Sequence, residues 1–186
     1  MTTIILAIVI GGAFGVVLDR IGATNPKYAL KMLALTNLHL MKTILLAIGV
    51  AAVAMFAGQM AGLIDVGHMS VKSAYLGVFV GGLMLGTGWA VTGYCPGTGL
   101  SAAASGRKDA LFFLAGGLLG AAAYMVSYSW FKSTGMLDNM FGGKATVAAV
   151  PGTDYPSLFA TLPGDIVGIV IGLGFIAIAF ALPSNF

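Results

Sequence analysis

Residues 81–106 read GGLMLGTGWAVTGYCPGTGLSAAASG, and this stretch decides the fold. It opens as an apolar helix of small residues, breaks between Gly93 and Gly97, and resumes as a short, weakly polar helix, with the chain's single cysteine, Cys95, inside the break. No charged side chain interrupts it. In hydrocarbon a freed backbone N–H or C=O must find a partner, so irregular backbone at membrane depth survives only where protein buries it or it lines a cavity. A broken helix here therefore implies a site. The charge-free run extends from Ser73 to Gly106, 34 residues. One crossing needs about 20, so the run is too long for one span and too short for two with a turn. It is expected to hold one span and a re-entrant half-helix at 94–106.

Composition supports the membrane reading. Of 186 residues 59% are hydrophobic and 8% charged, against roughly 25% charged in a soluble domain, and mean hydropathy is +0.99. The 28 glycines suit a tight helical bundle, because lipid provides no hydrophobic drive between helices and close backbone packing must supply the attraction. Gly-x-x-x-Gly spacings occur at Gly11/Gly15, Gly58/Gly62, Gly82/Gly86, Gly116/Gly120 and Gly168/Gly172. One cysteine excludes an intrachain disulfide and a cysteine-cluster zinc site. The net charge of +3, with basic residues in loops flanking the spans, gives nucleic-acid binding no support. MTTIILAIVI lacks a basic leader and a small-residue cleavage site, so it reads as a retained first span. The expectation is an all-α integral membrane protein forming a single membrane domain, residues 1–186.

Span one covers residues 3–18 and closes at Asp19-Arg20. Pro26 then leads YALKMLALTNLHLM, where Leu30, Leu33, Ala34 and Leu38 share one helical face, predicting a short interfacial or partly inserted helix. Spans two to five are expected at 43–64, 73–92, 110–131 and 164–182. Residues 132–162 read as an extramembrane loop with some local helix, carrying turn signals at Gly142-Gly143, Pro151-Gly152 and Pro156. With the N-terminus outside, the inner loops hold Arg20, Lys27, Lys31, Lys42, Arg107 and Lys108, against Lys72, Lys132 and Lys144 outside. The positive-inside rule favours N-out and C-in. A shift of 71 residues lays Gly11, Gly15 and Gly22 on Gly82, Gly86 and Gly93, and Thr24 on Cys95. This is a weak internal repeat, about 4–42 and 75–110, whose copies each run from a glycine-striped span into a break with a proline, Pro26 or Pro96.

Gly93-Tyr94-Cys95-Pro96-Gly97-Thr98-Gly99 reads as a helix start. Proline suits the first helical position, where an N–H is not needed. The unpaired N–H groups and positive end of the dipole would then face wherever Cys95 points, an anion-binding geometry. Gly93, Gly97 and Gly99 would let a ligand approach the backbone. The candidate binding residues are thus Cys95, Pro96, Gly97, Thr98, Gly99 and Gly93. The plainer alternative stays open: Cys95 as a small buried hydrophobe among glycines that serve packing. His68, beside Asp65 and Lys72, reads as a solvated interface residue, and Asp165 as the N-cap of span five rather than a proton carrier. No intramembrane acidic pair supports ion coupling. No catalytic, nucleotide or metal motif is present, so neither enzyme activity nor a cofactor is expected.

The run GGLMLGTGWAVTGYCPGTGLSAAASGRKDALFFLAGGLLGAAAY resembles the YeeE/YedE family of sulfur-compound transporters, whose signature is a glycine-rich helix, G-x-C-P-G-T, and a further GG-x-x-G helix. GGAFGVVLDRIG is similar to that family's other signature. The resemblance implies uptake of thiosulfate or a related sulfur anion across the bacterial inner membrane, with cysteines at constrictions relaying the substrate through S–H contacts. Cys95 matches one family cysteine. Where the first signature often continues to another, this chain reads Ile21-Gly22-Ala23-Thr24, and it is about half the length of two-lobed members. The resemblance therefore implies a homodimer or a second half-length membrane subunit. The competing expectation is a non-transporting assembly subunit that keeps the family fold.

Overall fold

The computed structural model describes residues 2–65, 72–140, 142–150 and 155–183. Five stretches are long and apolar enough to cross a membrane: Thr2–Arg20, His39–Met60, Leu76–Ala104, Lys108–Ser133 and Gly164–Ala181. The chain is a multi-pass membrane protein. We number the helices α1 (Thr2–Arg20), α2 (Pro26–Leu33), α3 (His39–Met60), α4 (Leu76–Thr92), α5 (Pro96–Ala104), α6 (Lys108–Ser133) and α7 (Gly164–Ala181). The third stretch is thus two helices separated at Gly93–Cys95.

The chain divides into two units. One contains Met1–Leu40 and Leu83–Ser129, the other Met41–Gly82 and Trp130–Ser184. In the second, α3 and α7 pack backbone to backbone. A Cβ on Gly49 would lie 2.7 Å from the Gly172 carbonyl oxygen, one on Gly172 would lie 2.9 Å from Val53, and one on Gly168 would enter the Phe56 ring. Here small residues do what packing in lipid requires: they let dispersion contacts form along the whole contact line.

The expected local helix in 132–162 is a correction. Beyond the end of α6, its described residues carry instead two short parallel strands, β1 (Thr146–Ala149) and β2 (Ser157–Pro163), paired Thr146↔Ser157 and Ala148↔Phe159. Thr146, Val147 and the Ser157-Leu158-Phe159 run supply the β-branched and aromatic side chains that favour a pleated surface. The Gly142-Gly143 turn signal falls where both glycines have positive φ. Pro151-Gly152 and His68 lie outside the described residues. Asp165 is also corrected: Pro163 holds the N-cap of α7 without a side-chain bond, and Asp165 sits in the first turn. There its charge complements the dipole without capping a particular N–H.

A short helix forms after α1, as expected, but it is shorter than the run read from the sequence. It ends at Leu33 because Leu35 takes a left-handed conformation (φ 56°), with the Thr36 and Asn37 N–H groups turning back to the Lys31 carbonyl at 2.9 and 3.3 Å. Ala29 and Met32 are buried, while Leu30 and Leu33 are exposed.

Candidate functional site

The first unit is built on two helix breaks. α1 ends with Gly22 at φ 79°. The Ala23 N–H then bonds the Leu18 carbonyl and the Gly22 N–H the Asp19 carbonyl, both at 3.0 Å, a closure in which the left-handed residue is usually glycine. Three residues later Asn25 caps α2, accepting from the Lys27 N–H at 3.1 Å, with Pro26 at the first helical position. α4 ends likewise, with Gly93 at φ 72° and its N–H on the Trp89 carbonyl at 2.8 Å. Two residues later Cys95 caps α5, with Pro96 in first position. The structural match pairs Asn25 with Cys95 as caps, one residue out of step with the sequence shift that pairs Thr24 with Cys95.

These breaks meet. A Cβ on Gly93 would lie 2.7 Å from both the Cβ and the carbonyl oxygen of Pro26, so only glycine allows this approach. Gly93, Tyr94, Ala23 and Thr24 are buried around the contact. Thr24 donates to Asp19 Oδ1 at 2.6 Å, which also accepts from Ser105 Oγ at 3.4 Å.

Cys95 is half-buried and forms a reciprocal cap with Thr98. The Cys95 N–H donates to Thr98 Oγ1 at 3.0 Å, and the Thr98 N–H donates to Cys95 Sγ at 3.4 Å. The Thr98 hydroxyl also lies 3.2 Å from Sγ as a donor. The sulfur thus accepts from both Thr98 donors, and its S–H is a weak donor that these bonds do not use. Pro96 has no N–H, the Thr98 N–H is used by the sulfur, and the Gly99 N–H bonds the Cys95 carbonyl at 2.9 Å. Of the first-turn donors expected to be open, only the Gly97 N–H lacks a partner among the described residues. Gly97 is exposed. Gly99 is buried and serves packing: a Cβ there would lie 2.5 Å from the Phe113 ring on α6.

Sequence reasoning missed Tyr94, Arg107 and Asp109. The Tyr94 hydroxyl donates to Asp109 Oδ2 and accepts from Arg107 Nε, both at 2.8 Å, and Arg107 Nη2 meets the same carboxylate oxygen at 3.1 Å. Bonding to Asp109 pushes the Arg107 guanidinium up from its ordinary value, so it stays cationic. The signal was the charge cluster Arg107-Lys108-Asp109, legible only as a membrane interface until the fold brought Tyr94 to it.

Two cavities lie near the α4–α5 break. One, of about 530 Å³, is lined by Thr92, Tyr94, Asp109, Phe112, Phe113, Gly116 and Gly117. The other, of about 410 Å³, runs between α1 and α5 and includes Asp19, Arg20, Ser101 and Ser105. Cys95 lines neither.

A family model described as Sulphur transport matches residues 27–184. The chain belongs to the sulphur transport family. The match takes in the α4–α5 break and every element from α3 to α7, and it supports the YeeE/YedE resemblance. Gly11–Gly22, the other signature-like run, precedes the matched residues. No curated protein and no solved structure matches the chain. Membership in a transport family gives this membrane protein a role in sulfur transport.

Proposed function

We propose that the chain carries thiosulfate or a related sulfur-containing anion across the bacterial inner membrane, past Cys95 at the N-terminus of a re-entrant α5. The observation that carries this reading is the contact between the two breaks. It fixes the α4–α5 break, where the Leu76–Ala104 stretch is interrupted and where the Cys95 thiol and the open Gly97 N–H lie side by side at the start of α5. A dianion cannot cross hydrocarbon, and a thiolate would repel it, so a neutral S–H beside a helix-end N–H is the suitable pair. Such contacts are weak enough to release the anion as well as bind it. Gly93, Pro96, Thr98 and Gly99 shape the turn that presents them.

In this reading residues 1–186 form one membrane domain, N-out and C-in, with the α1–α2 and α4–α5 segments as parallel repeats. A homodimer or a second half-length subunit completes the pathway. The assembly-subunit reading is favoured by one observation: Ile21-Gly22-Ala23-Thr24, where the first signature often continues to a cysteine, holds none, and Thr24 is buried with its hydroxyl committed to Asp19. Radiolabelled thiosulfate uptake into cells expressing the full chain separates the two. Uptake above that of cells lacking the chain, and lost in Cys95→Ser, is the expected result; uptake no different from those cells would overturn the transport reading.

A further inference from the structure

We infer that Tyr94, Arg107 and Asp109 form a clamp that holds the α4–α5 break in its working geometry, with Tyr94 a positioning residue for Cys95. The inference rests on the reading of that break as the path of the anion. Tyr94 immediately precedes the cap, so its placement sets where the Cys95 peptide begins. The residue is 3% exposed, and its ring packs against Phe113 with centroids 5.7 Å apart. Packing alone would be served by phenylalanine. The hydroxyl does something further: it joins a guanidinium that follows the end of α5 to a carboxylate in the first turn of α6. The start of α5, its end and the start of α6 are thereby closed into one ring of bonds.

The strength of this ring lies in the tyrosine. Arg107 and Asp109 side chains are 37% and 50% exposed, and an exposed ion pair by itself holds little. Hydrogen bonds from a buried hydroxyl to ionised partners are shorter and about twice as strong as neutral ones. The Tyr94 backbone is also held, its N–H donating to Thr92 Oγ1 at 3.2 Å. Thr92 in turn donates to the Gly88 carbonyl at 2.8 Å. The cysteine cap is thus fixed from upstream by α4 and from downstream by the ring. Weak donors such as S–H need this, because a site loosened by about 1 Å loses its function.

Amide hydrogen exchange and thiosulfate uptake test the clamp in the full chain. Tyr94→Phe keeps the ring and removes only the hydroxyl. Exchange across residues 93–99 is expected to rise about tenfold, the effect of losing one bond to a charged partner, with exchange across α3 and α7 unchanged. The half-saturating thiosulfate concentration should rise with it. Arg107→Gln should act in the same direction, and the double variant should be no worse than the stronger single one, as for residues in one network. Unchanged exchange at 93–99, additive effects, or wild-type uptake by Tyr94→Phe would overturn the proposal. If Cys95→Ala transports normally while Tyr94→Phe does not, the clamp stands and the role given to Cys95 falls.

Discussion

The glycines of α7 and those of α6 follow one spacing and meet opposite surroundings. Gly168 and Gly172 on α7 face α3 so closely that a Cβ on either would collide with it, whereas a Cβ on Gly116 or Gly120 of α6 would meet nothing within 4 Å among the described residues of its own unit. Gly11 on α1 and Gly86 on α4 resemble α6, each open to that distance. Four-residue spacing marks a face on which backbones can approach; it does not say from where the partner comes. In the unit holding α3 and α7 the chain fills its own glycine face. In the unit holding the two breaks, the tight approach occurs instead at Gly93 and Gly99. For the second subunit proposed above, the open glycine faces of α1, α4 and α6 are the surfaces to test.

The largest effect is expected where a filled glycine also carries a strained backbone. Gly93→Ala must hold φ near 72° and push against the Pro26 backbone, which cannot swing aside, so a loss of about 3 kcal/mol is expected. A large fall in melting temperature and lost uptake would show it, and a wild-type melting curve would break the account of the meeting breaks. Gly168→Val comes next. It overpacks against Phe56, a side chain that can shift in part, and about 2 kcal/mol is expected by the same measurement. If it were tolerated, the filled face on α7 would not be what joins α7 to α3.

Cys95 gives a smaller stability effect and a large functional one. Cys95→Ala should cost about 1 kcal/mol, the size of an ordinary point substitution, and Cys95→Ser should keep the Thr98 cap while lowering uptake strongly. Melting curves and labelled uptake for both variants check this. If the sulfur only fills space, alanine is tolerated and serine costs more, because a hydroxyl needs a buried partner. The smallest effect belongs to an open glycine. With nothing near it, Gly116→Ala should leave the isolated chain as stable or up to about 1 kcal/mol more so, as alanine favours a helix over glycine. Detergent-corrected mass should nonetheless show weaker association. A destabilised single chain, or undiminished association, would remove the contrast between the two faces.

The spans, the break and the start of each short helix were legible in the sequence. A crossing depends on the hydropathy of about 20 consecutive residues. A cap depends on residues within three or four positions, as with Asn25-Pro26 and Cys95-Pro96. What lay beyond a turn or two was not legible. The contact of Gly93 with Pro26 joins residues 67 positions apart. The Tyr94 hydroxyl finds Asp109 15 positions away, along a half-helix whose direction had first to be set. Thr146 pairs as a strand with Ser157, 11 positions away. Hydropathy and capping are properties of the chain's own neighbourhood. The ring at Tyr94, the contact of the breaks and the split between filled and open glycines depend on which faces the helices turn to one another, and only the tertiary structure settles those.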